Sequence, residues 1–134
     1  MTEFPLKIVT PDGLRFDGPA EELIVRSSTG DVAILARHVN FVTSLGMGQA
    51  VIVSKGQRRI AACIGGMLSV VDGHFTLLPS TFEWSDQIDV ERADASYRRA
   101  DAVLHDKNAS ETDLKLAEAR LRRALIRKSV ASSK

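Results

Sequence analysis

An antiparallel β sandwich or flattened barrel followed by a C-terminal α-helical hairpin is the fold class this sequence predicts. Up to about residue 84, short apolar runs are separated by glycine turns. From Ile88-Asp89-Val90-Glu91-Arg92-Ala93 onward there is no Gly and no Pro, and Ala, Leu and Arg recur at helical spacing. No strand-like run alternates with a helical one in the first part, which argues against a parallel βαβ sheet. The division expected is a β domain at 1–85 and a helical domain at 86–134.

The β part opens with Leu6-Lys7-Ile8-Val9, then the turn signal Pro11-Asp12-Gly13. Leu14-Arg15-Phe16-Asp17 alternates apolar and polar, as a half-buried strand does. Leu23-Ile24-Val25 is denser and stops at Ser28-Thr29-Gly30-Asp31, after which Val32-Ala33-Ile34-Leu35 resumes. Further runs fall at 41–45, 50–53, 59–64, 67–71 and 74–78, with Gly46, Gly48, Lys55-Gly56, Gly65-Gly66 and Asp72-Gly73 as separators. Lys-Gly and Asp-Gly between strands are hairpin signals. The expectation is around nine short strands.

In the helical part, Asp89 is placed to cap the first helix, its carboxylate accepting from N–H groups two or three residues on. Val90, Ala93, Tyr97, Ala100 and Leu104 form one seam, and Leu114, Ala117, Leu121 and Ala124 a second. Ser110 with Asp113 resembles a capping box. The short loop at 106–109 makes the helices antiparallel neighbours. Alanine seams bury little area, so the hairpin's own packing is expected to be weak. Arg92 and Arg99 share nearly one face of the first helix. Pairing the helices so that facing residue numbers sum to about 215 puts Arg92 at the level of Arg123, with Arg127 one turn away. Guanidinium groups so gathered read either as a solvated basic face or as a polyanion site.

Composition removes several other functions. The net charge is +1, so the chain as a whole is no electrostatic nucleic-acid binder. From Arg120 onward there are six Lys/Arg and no acid, a basic tip. Cys63 is the one cysteine, which excludes an internal disulfide, and its apolar neighbours predict a buried core position. His38, His74 and His105 share no ligand spacing, and no metal site is expected. No nucleophile-elbow, zinc-protease or phosphate-loop motif is present, so no enzyme is expected. No run has the length of a signal peptide core or a membrane span, which predicts a cytoplasmic chain, or one peripheral to a membrane through partners.

Five segments, in order, resemble one family over essentially the full length. They are Ile8-Val9-Thr10-Pro11-Asp12-Gly13; Thr29-Gly30-Asp31-Val32-Ala33-Ile34-Leu35-Ala36-Arg37-His38; Gly65-Gly66-Met67-Leu68-Ser69-Val70; Ile88-Asp89-Val90-Glu91-Arg92-Ala93; and Ala117-Glu118-Ala119-Arg120-Leu121-Arg122-Arg123-Ala124. The chain resembles the epsilon subunits of rotary F-type ATP synthases. That resemblance implies a sandwich of ten strands, then the two-helix domain. It implies a non-catalytic central-stalk subunit, at the cytoplasmic face of a bacterial plasma membrane. Its partners would be the gamma subunit, the membrane ring of proton- or sodium-carrying subunits and, through the helices, the catalytic alpha and beta subunits. It also implies restraint of ATP hydrolysis by the helices, and regulatory ATP binding with its Mg²⁺ dependence open. The family's motif stands here as Ile88, Asp89, Arg92 and Ala93; Arg99, Arg123 and Arg127 match its further arginines, and Glu83 an acid beside the adenine. The other readings are a free-standing ATP-sensing binding protein and a small enzyme on a β scaffold.

Overall fold

The computed structural model describes residues 2–133. The chain divides into two compact units, Met1–Trp84 and Ser85–Lys134. The first contains β1 (Phe4–Thr10), β2 (Gly13–Ala20), β3 (Glu22–Ser27), β4 (Gly30–Ile34), β5 (Phe41–Ser44), β6 (Met47–Ser54), β7 (Gln57–Val71) and β8 (His74–Trp84). The strand order is β2-β1-β8-β7-β6-β3-β4, with β5 on the far half of β7.

Eight strands replace the nine runs because Gly65-Gly66 does not separate two strands. It lies inside the 15-residue β7, whose register with β8 runs from Ala61↔Trp84 to Val71↔His74. β7 pairs with β6 along its first half and with β5 along its second, so the glycines mark a bend. Opposite them, burial in β8 changes frame: Phe75, Leu77 and Pro79 are buried, then Phe82 and Trp84. Among the described residues eight strands stand where the resemblance implies ten, because β7 and β8 each run on through the bend. The expectation of a wholly antiparallel sandwich is corrected at one place: β1 pairs with β8 in parallel, Leu6↔Phe75 to Ile8↔Leu77.

The turn chemistry behaves as its residues require. Lys55-Gly56 and Asp72-Gly73 both have positive φ at both positions, the geometry that lets a two-residue turn follow the strands' own twist. Alternation puts Phe4, Leu6 and Ile8 of β1, Leu23 and Val25 of β3, and Leu68 and Val70 of β7 into one core with Phe75, Leu77, Phe82 and Trp84. Trp84 is held by an edge contact to Phe82 and by the Arg59 guanidinium 3.7 Å above its ring. Cys63 is buried, and loss of solvent pushes its thiol up to about 12.

The second unit begins with a 3₁₀ turn at Ser85–Gln87, followed by α1 (Val90–Leu104) and α2 (Glu111–Ser132). Ser110 and Asp113 form the reciprocal capping box that starts α2: Asp113 N–H donates to Ser110 Oγ at 3.0 Å, and Ser110 N–H to Asp113 Oδ2. The buried side chains of the two helices are Ala93, Ala100, Ala117, Ala124 and Val130. Val90, expected in the α1 seam, is 50% exposed, because it is the first residue of the helix and precedes the seam's first buried turn. No described helix is long and apolar enough to cross a membrane.

Candidate functional site

Asp89 is the N-cap of α1, with extended backbone, and its Oδ1 accepts the Arg92 N–H at 3.0 Å. The Ala93 N–H donates to the Asp89 carbonyl, closing the first helical turn. One carboxylate therefore both satisfies the helix start and sits beside the Arg92 position. Ile88 is buried just before this cap, and Ala93 is buried just after it. The motif Ile88, Asp89, Arg92, Ala93 is thus a single local structure, two buried apolar residues bracketing an exposed acid and an exposed arginine.

Arg99 lies on α1 and is exposed; Arg123 lies on α2 and is exposed, while Arg127 is half-buried. Glu83 lies on β8 in the first unit and is half-buried. Among the described residues, Arg92, Arg99 and Arg123 form no ion pair with an acid of this chain. Their guanidinium forks remain available to an anion.

Across the hairpin, Lys128 Nζ donates to Asp94 Oδ1 at 3.0 Å. The same ammonium lies 4.7 Å from the centre of the Tyr97 ring.

Asp94 escaped the sequence reading, and Tyr97 and Lys128 entered it only as a seam residue and as one charge of the basic tip. The spacing of Asp94 and Arg98, which also pair, is legible as an i,i+4 contact. Lys128 is 34 residues from Asp94, and only the packed hairpin identifies it as the partner. The two cations hold the Asp94 carboxyl below its ordinary range, the Lys128 hydrogen bond being the largest cause.

Comparison with known proteins matches these two parts separately. The family description "ATP synthase, Delta/Epsilon chain, beta-sandwich domain" matches residues 3–85, and "long alpha-helix domain" of the same chain matches residues 86–132. A protein of Ruminococcus albus named "ATP synthase epsilon chain" is 42% identical over 135 residues, spanning all of both chains. One of the same name from Bacillus velezensis is 38% identical, covering 99% of this chain and 100% of its own. Among solved structures, a chain of the Euglena gracilis mitochondrial ATP synthase superposes with a TM-score of 0.83 at 19% identity, covering 96% of this chain and 81% of that one. A chain of the Tetrahymena thermophila central stalk and c-ring superposes at 0.67 and 12% identity, covering 98% of each. At such identities the structures speak for the fold, while the sequence matches decide kinship: this chain belongs to the ATP synthase delta/epsilon family.

Proposed function

We propose that the chain is a non-catalytic epsilon-type rotor subunit of a bacterial F-type ATP synthase. The observation that carries this is full-length identity to epsilon chains across both the sandwich and the helices. In this reading the sandwich docks on the gamma subunit and the membrane ring, coupling proton- or sodium-driven rotation to ATP synthesis, on the cytoplasmic face of the membrane. The outer face of β5, β7 and β8 supports such docking. There Met67 pairs directly with Leu78, with Val42 diagonal to Met67, and these three are 47%, 45% and 56% exposed.

The helices act as a brake on ATP hydrolysis and bind ATP as a regulatory ligand. The residues present fit a polyphosphate: among the described residues, exposed Arg92, Arg99 and Arg123 lack acidic partners, and Asp89 orders the α1 start. Arg127 belongs to the residue set in this reading, and Ile88 and Ala93 fix the apolar frame of the motif. ATP among the arginines would offset their repulsion and favour the closed hairpin, in proportion to its preference for that state. Opened end to end, the helices would reach about 55 Å at 1.5 Å per residue. Arg120, Arg122 and Arg123 would then meet acidic surface on the catalytic subunits.

The test is reconstitution. The intact chain should co-purify with gamma, and deletion of residues 86–134 should raise the ATPase activity of the assembled complex at low ATP. Failure to co-purify would overturn the stalk assignment, and equal ATPase activity at every ATP concentration would overturn the brake.

A further inference from the structure

The helix–helix seam is made chiefly of alanines, each burying little area. Against that weak background, a polar contact that ties the helices changes the balance noticeably. Lys128 provides one. Its ammonium donates to Asp94 across the hairpin and lies over the face of Tyr97, one turn further along α1. Asp94 is also paired with Arg98 from its own helix, which fixes the carboxylate without joining the helices. The Lys128 and Asp94 side chains are each about one third exposed, 35% and 31%. The contact is therefore partly shielded from solvent, and screening by salt is reduced.

We propose that Asp94, Tyr97 and Lys128 form a latch that sets the fraction of hairpin closed, independently of the arginines available to an anion. Lys128 is consumed by this latch and belongs to the closed state; it is not a ligand of the polyphosphate. The regulatory meaning of the latch rests on the brake reading above, whereas its existence does not.

The full chain carries the test. Cysteines introduced at Gln87 and Ser132, both exposed and at the open end of the hairpin, take a fluorescence donor and acceptor; buried, neutral Cys63 stays unlabelled. Energy transfer is followed along a urea titration, with far-UV circular dichroism separating opening from loss of helix. Lys128→Met and Asp94→Asn should each raise the open-to-closed ratio about 2- to 10-fold. The double variant should open no further than the stronger single one, since both remove one interaction. Arg98→Met should change the ratio less than 2-fold, because its contact is local. Additive effects of the two latch variants, unchanged transfer in either, or equal opening by Arg98→Met would overturn the latch. If the latch variants open the free chain yet leave ATPase activity of the reconstituted complex unaltered at low ATP, the brake is overturned and the latch stands.

Discussion

At Gly66 the backbone takes φ of +98°, and a Cβ would sit 2.6 Å from the Cα of Pro79 on the paired strand. Both the backbone conformation and the space exclude a side chain. Gly66→Ala should destabilise the β unit by about 2–4 kcal/mol, strain and overpacking combined. A urea midpoint equal to that of the unaltered chain would refute this account of the bend. Arg92 is the residue on which nucleotide binding rests most. A hydrogen bond to a charged group contributes roughly 1.5–3 kcal/mol, so Arg92→Ala should weaken ATP binding about 10- to 100-fold in a calorimetric titration. Unchanged affinity would return the arginines to a solvated face.

Among the elements, α1 and α2 are individually well specified by Asp89 and by Ser110 with Asp113, yet the contact of Lys128 with Asp94 belongs to neither helix alone. Asp94 makes that contact sensitive to acid. Its carboxyl is held low by the Lys128 hydrogen bond, desolvation opposing, with the Arg98 and Lys128 charges adding to the lowering. A folded value below the unfolded one means the contribution is complete above the usual aspartate value of 3.8 and disappears as pH falls through the lowered value. The hairpin's closed fraction should therefore be insensitive to this group at neutral pH and fall in acid. Energy transfer between the Gln87 and Ser132 labels would show the acid opening, and Asp94→Asn should remove that portion of it.

For the whole molecule, the main hydrophobic cluster of the described residues runs from Phe4 to Trp84 and includes none of the helices. A fragment ending at Ser85 should fold by itself and unfold in one cooperative transition, and it should still bind gamma. An unfolded fragment would show that the helices are needed for the sandwich, and a folded fragment that ignores gamma would move the docking surface off it. Length favours folding: 84 residues suffice for a small independent domain.

Sequence alone determined whatever is local. Glycine turns and period-2 alternation specified the β part, the absence of Gly and Pro with 3.6-residue spacing specified the helices, and Asp89 and Ser110 announced where the helices start. The Ile88 to Ala93 motif was legible because all of its geometry lies within one turn. Tertiary structure decided what joins distant segments. Gly65-Gly66 has the composition of a turn, and only pairing on both sides of β7 shows it to be a bend within a strand. The parallel contact of β1 with β8 joins strands nearly seventy residues apart, beyond the reach of any local pattern. Lys128 looked like one more charge on a basic tip until antiparallel packing set it on Asp94 and Tyr97. Alanine is why that partner was not readable: a methyl group fits almost equally well at several offsets, so the local pattern does not say which charges meet across the hairpin.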